Sequence, residues 1–110
     1  MIKQIISFLL IISNFINVTR VEAIDLNKGK ILFINNCIIC HKNGENVIIP
    51  EKNLKKEALE ENGMNNIEAI TYQILNGKNG MPAFSGRLKQ NEIDEIATYV
   101  LQQALINFKE

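Results

Sequence analysis

Cys37-Ile38-Ile39-Cys40-His41 is the stretch on which the reading of this 110-residue chain turns. Two cysteines with two residues between them, followed at once by a histidine, form the attachment signature of c-type haem. The spacing follows from the chemistry: thiols one helical turn apart add across the two vinyl groups of a porphyrin, and the adjacent imidazole then comes beneath the iron as proximal ligand. A close cysteine pair has three other uses. Zinc takes about four protein ligands, whereas the chain holds two cysteines and one histidine, all inside the pentapeptide. A thioredoxin-like pair belongs beside a strand-helix-strand pattern, and nothing here alternates apolar and polar residues for long enough to make a sheet. A disulfide across so short a loop restricts the unfolded chain little and leaves His41 without a purpose.

Upstream of the motif the amino terminus reads as a secretory signal. Lys3 supplies a positive start, Ile5 to Ile16 an apolar core, and Val21-Glu22-Ala23 a small-residue cleavage site. A spanning helix needs about 20 apolar residues, and Asn14 and Asn17 interrupt a shorter run. The expected division is therefore a cleaved leader, residues 1–23, and a single domain, residues 24–110, soluble beyond a membrane and with no stable membrane insertion after cleavage. Covalent haem attachment takes place outside the cytoplasmic or stromal phase, so leader and motif agree. Loss of Lys3, Arg20 and Glu22 leaves ten basic and eleven acidic side chains, a formal charge of −1, which argues against a nucleic-acid partner. A mature chain of 87 residues lies near the lower size at which an apolar core suffices alone, and a buried porphyrin would enlarge that core. Abundant Ile, Asn and Lys suit an AT-rich genome such as a plastid's.

Downstream and upstream of the motif the periodicity is helical. Asp25 to Asn36 predicts a first helix, capped by Asp25, with Leu26, Ile31 and Leu32 facing inward. Gly44 to Pro50 reads as a loop whose Val47, Ile48 and Ile49 pack on a cofactor face. Asn53 is expected to cap a helix over Leu54 to Asn62 that stops at Gly63, and Asn65 or Asn66 to cap another, carrying Ile67, Ile70, Ile74 and Leu75 as far as Gly77. From Asn91 onward Ile93, Ile96, Ala97, Val100, Leu101, Ala104, Leu105 and Phe108 keep the spacing of one buried stripe, with Glu92, Asp94 and Glu95 at its positive end. The fold expected is all-α: four to five helices wrapped around one covalently bound haem.

His41 is the only histidine, so a second imidazole from the same chain cannot fill the sixth position on iron. Methionine, lysine, water or nothing remains. Met64 and Met81 survive cleavage. Met81 is the better candidate, because Asn76-Gly77-Lys78-Asn79-Gly80-Met81-Pro82 is a glycine-rich loop able to cross a haem edge, and Pro82 holds Met81 extended. Met64, beside a helix start, reads as core filler.

The chain resembles the cytochrome c6 family, photosynthetic class I c-type cytochromes, from about Ile24 to Gln103. The resemblance rests on the haem motif, Leu54-Lys55-Lys56-Glu57, Ala69-Ile70-Thr71-Tyr72-Gln73, Asn76-Gly77-Lys78-Asn79, Met81-Pro82-Ala83-Phe84 and Gly86-Arg87-Leu88. It implies a class I cytochrome c fold, with Cys37 and Cys40 holding haem c and His41 and Met81 ligating its iron. It further implies a non-enzymatic carrier of single electrons from the cytochrome b6f complex to photosystem I in the thylakoid lumen of a plastid or cyanobacterium. Arg87 matches an arginine proposed to aid docking near the haem edge; a solvated charge or propionate partner is its plainer reading. Gln73 matches a glutamine that affects the haem potential, or is simply a surface amide. Two departures stand out: Ile74 and Leu75 stand where some eukaryotic relatives carry acids thought to steer docking, and the tail from Ala104 to Glu110 departs most from the family. A second reading keeps the chemistry and changes the partner, to a bacterial periplasmic cytochrome that donates to a terminal oxidase.

Overall fold

The computed structural model describes residues 24–109, so the leader assigned to residues 1–23 lies outside the described residues. Five helices follow in order: α1 (Leu26–Asn36), the single turn α2 (Ile38–His41), α3 (Lys56–Glu61), α4 (Ile67–Asn76) and α5 (Gln90–Leu105). Short 3-10 turns occupy Lys42–Gly44 and Pro50–Lys52. Among the described residues there is no sheet, only isolated bridges between Lys78 and Met81 and between Ser85 and Leu88. No helix of the described residues is long and apolar enough to cross a membrane.

Helix α1 begins where Asp25, in extended backbone, accepts hydrogen bonds from the amides of Asn27 (3.0 Å) and Lys28 (3.3 Å). Such a cap stabilises a helix start by about 1 kcal/mol. The inward face differs from the expected one. Gly29 and Phe33 are buried, Leu32 is partly covered, and Leu26 and Ile31 are exposed. Gly29 explains the rotation: a Cβ there would stand 2.4 Å from the Glu95 carbonyl oxygen on α5, so the helices meet backbone to backbone at this point. A contact centred on Gly29 and Phe33 turns Ile31 outward.

On α5, Ile93, Ile96, Ala97, Val100 and Ala104 are buried at the expected spacing. Full burial of a residue such as Ile93 or Ile96 contributes about 1.5–3 kcal/mol. The stripe ends sooner than the sequence suggests. Leu105 is exposed, and Phe108 lies beyond the helix, where Asn107 (φ 51°) and Phe108 (φ 59°) adopt left-handed backbone. The chain reverses there, with the Phe108 amide donating to the Gln103 carbonyl at 2.8 Å. Glu95, read from the sequence only as an acid at the positive end of the helix, is buried; its Oε2 accepts no hydrogen bond and lies 3.9 Å from the Lys28 ammonium.

Helix α4 matches its expected bounds, and Asn66 is the residue that caps it, accepting from the Ala69 amide at 2.8 Å. Helix α3 starts two residues later than expected. Asn53 accepts from the Lys55 amide (2.9 Å) in a local turn, and the Leu54 amide donates to the Gly44 carbonyl (2.7 Å). Leu54 is thereby bound to the loop after the haem motif instead of to a helix. Gly63, at φ +67°, ends the segment as foreseen.

Candidate functional site

The end of α1, α2, the loop after it, α3, α4 and the Met81 loop enclose a cavity of about 380 Å³, within the usual range for a bound organic group. Its wall is largely apolar: Phe33, Leu59, Ile70, Ile74, Phe84 and Val100 are buried core residues that also face it. Cys37, Cys40, His41, Met64, Gln73 and Met81 all reach the same space.

Cys37 caps α1, its amide bonded to the Phe33 carbonyl at 2.8 Å. Its own carbonyl accepts from the amides of Cys40 (3.3 Å) and His41 (2.9 Å), which winds the motif into one turn. Both thiols are free. Burial, with a smaller contribution from neighbouring Cys40, pushes the Cys37 thiol up to about 11.

The His41 ring is fixed by a 2.9 Å contact between Nδ1 and the Glu45 carbonyl. A carbonyl only accepts, so Nδ1 carries the proton and Nε2 is left as a bare lone pair. Burial lowers the His41 pKa and the bond to Glu45 partly opposes this. The imidazole is thus kept neutral and oriented, as a metal ligand must be.

Met81 is held by its backbone. Lys78 and Met81 exchange amide-carbonyl bonds of 3.1 and 3.0 Å, and Gly77 precedes them at φ +67°. A Cβ on Gly77 would lie 2.5 Å from the Met81 carbonyl oxygen, so the turn closes only around glycine. The Gln73 side-chain amide donates to the Met81 sulfur at 3.7 Å. Gln73 is therefore not a free surface amide. Met64 also reaches the wall, but it packs against the core between α3 and α4.

Of the apolar run after the motif, Ile48 and Ile49 line the cavity whereas Val47 is 65% exposed and lies off it. Ile48 abuts Gly80, so the two loops meet at the rim. Arg87 is exposed, its guanidinium 4.8 Å from the centroid of the Phe84 ring, which forms part of the wall. That cation–π contact is a partner the sequence did not suggest. Two further residues escaped the sequence: Glu45, whose backbone oxygen orients His41, and Phe108, which covers Gly44 beside it.

The donor set suits haem c. Two free thiols one turn apart, a neutral imidazole with Nε2 unengaged and a thioether share one apolar cavity, and soft sulfur with imidazole is a low-spin haem iron ligand pair.

Known proteins agree with that chemistry. A family model described as cytochrome c oxidase, cbb3-type, subunit III matches residues 25–100. Cytochrome c6 of Petalonia fascia is 57% identical over 81 residues, covering 74% of this chain and 95% of that protein. Cytochrome c6 of Cyanidioschyzon merolae is 48% identical, covering 93% and 95%. The crystal structure of cytochrome c6 from the diatom Phaeodactylum tricornutum superposes with a TM-score of 0.73 at 46% identity, covering 76% of this chain and 98% of that one. The model match names an oxidase subunit, but the finer agreement over nearly whole relatives is with cytochrome c6. The chain belongs to the cytochrome c6 family and is an electron carrier of photosynthetic electron transport, a class I c-type cytochrome with one covalently bound haem c.

Proposed function

We propose that this protein carries single electrons from the cytochrome b6f complex to photosystem I, with Cys37 and Cys40 as thioether anchors of the haem and His41 and Met81 as axial ligands. The observation that carries the reading is the pairing of two oriented donors in one apolar cavity: His41, with Nδ1 tied to Glu45, and Met81, with its sulfur against Gln73. Bound haem supplies a one-electron iron couple. The chain's residues determine how that couple is used. Thioether anchors prevent dissociation, so the protein can diffuse between partners without losing its charge carrier. Methionine opposite histidine raises the potential relative to stronger donors, and with both positions filled by side chains no site is open to oxygen or peroxide. The apolar wall excludes water, and a preset His41 and Met81 need little rearrangement between oxidation states.

Contact with partners is expected to be brief, since redox encounters bury little surface. The surfaces proposed to face them are the exposed cavity residues Ile39 and Ile48, and Arg87 beside the wall residue Phe84. Residues 1–23 are proposed as the export signal that delivers the carrier to the thylakoid lumen of a plastid or cyanobacterium.

The test is purification of the mature protein after expression with haem-attachment machinery. The expected product starts at Ile24, carries one covalent haem by mass, is low-spin and six-coordinate in both oxidation states, and reduces photosystem I after accepting electrons from cytochrome b6f. A product of the bare polypeptide mass would refute the attachment, and a high-spin spectrum would refute the ligand pair. Turnover with a terminal oxidase but not with photosystem I would select the periplasmic-donor reading.

A further inference from the structure

The tail beyond α5 bends back onto the loop that orients His41. Asn107 and Phe108 are consecutive non-glycine residues in left-handed backbone, a conformation that bulky side chains rarely adopt without being held there. They are held by the Asn107 amide on the Ala104 carbonyl (3.1 Å), the Phe108 amide on the Gln103 carbonyl (2.8 Å), and the Asn107 side chain, which accepts from the Lys56 amide at 3.4 Å. The result is that the Phe108 ring covers Gly44, so close that a Cβ there would stand 2.5 Å from it. The ring also packs at a 37° tilt against Phe33, centroids 6.0 Å apart, and the Phe33 carbonyl holds the Cys37 amide. Gly44 is buried, accepts from the Leu54 amide, and is bonded directly to Glu45, whose carbonyl receives the His41 ring proton.

From this chain of contacts we propose that Phe108 is a positioning residue for the proximal histidine: the carboxyl-terminal tail clamps Gly44 and Glu45 and so fixes the hydrogen bond that sets the donor strength of His41. The inference rests on His41 being an iron ligand, and the tail, the part of the sequence read as departing most from the family, gains a role in tuning the site. A histidine that donates firmly to a carbonyl is a stronger ligand and favours the ferric state. Loosening the clamp weakens that bond.

Phe108→Ala and Phe108→Leu are compared with the wild-type holoprotein by spectroscopy, by the reduction potential, and by NMR exchange of the His41 Nδ1 proton. Expected are an unchanged low-spin spectrum in all three, exchange of that proton about tenfold faster or more in Phe108→Ala, a raised potential, and substantial recovery of both in Phe108→Leu, which still covers Gly44. Faster exchange throughout the molecule with an unshifted potential would reduce Phe108 to a general stability role and overturn the proposal. So would wild-type exchange and potential in Phe108→Ala. A wild-type spectrum lacking histidine ligation would instead overturn the ligand reading and this proposal with it.

Discussion

Replacing Gly77 with alanine strikes the turn that presents Met81, and its cost can be worked from the geometry. Gly77 sits at φ 67°, ψ 175°, a region open essentially to glycine alone, where another residue costs about 1–3 kcal/mol. A new Cβ would also meet three backbone atoms, the Met81 oxygen at 2.5 Å, the Ala83 nitrogen at 2.7 Å and the Pro82 carbonyl carbon at 2.8 Å. Backbone cannot rotate aside as a side chain can, so overpacking adds about 1–3 kcal/mol. The sum, near 4 kcal/mol at mid-range, is a large part of the roughly 5–15 kcal/mol that holds a domain together. At roughly 4–8 °C per kcal/mol for a domain of this size, Tm falls by about 15 °C or more. The Lys78–Met81 turn also opens to relieve the clash, drawing the sulfur away from Gln73. The assay is denaturant and thermal unfolding of the ferric holoprotein by circular dichroism, with the near-infrared methionine–iron band recorded in the folded baseline. A variant within about 0.5 kcal/mol of wild type that keeps this band intact would show that the turn does not need glycine and would refute the reasoning.

Met81→Ala should lower the potential and let cyanide or imidazole bind the iron quickly, whereas Met64→Ala should change only stability; the reverse pattern in ligand-binding kinetics would exchange their roles. Because burial lowers the His41 pKa, the folded state holds fewer protons on this ring than the unfolded state as pH falls through about 6.5. Stability from the neutral ring is therefore complete above that value and is lost only as pH drops below it, so an acid titration of the low-spin spectrum should show no midpoint at 6.5 or higher. Arg87→Glu should slow photosystem I reduction with the spectrum unchanged, and the difference should shrink as salt shortens the screening length below about 8 Å; equal rates at low salt would return Arg87 to a partner of Phe84 alone.

Much of the site was readable because its residues are few and chemically distinctive. One histidine, two cysteines and a methionine in a glycine-rich loop leave little choice, and the structure brings all four to one cavity. Helix bounds were readable where a side chain capped them, at Asp25 and Asn66. What escaped was set by contacts distant in sequence. The inward face of α1 depends on a close approach at Gly29, which periodicity counted as a gap and not as the centre of a contact. Helix α3 is shortened because Leu54 bonds to Gly44, ten residues earlier. Phe108 kept the α5 spacing in sequence, yet two left-handed residues carry it off the helix. Glu45 escaped because its contribution is a backbone oxygen, which side-chain identity does not report.

The crossing at Gly29 also has a consequence for biogenesis. It joins α1 to α5, two helices more than fifty residues apart in sequence, so the chain must be made through α5 before the two can meet and the pocket they help to build can be completed. With Cys37 and Cys40 as the proposed haem anchors, both thiols would stay open to attachment enzymes until the two helices dock. On that proposal, docking of α1 on α5 would follow attachment and close the pocket over it.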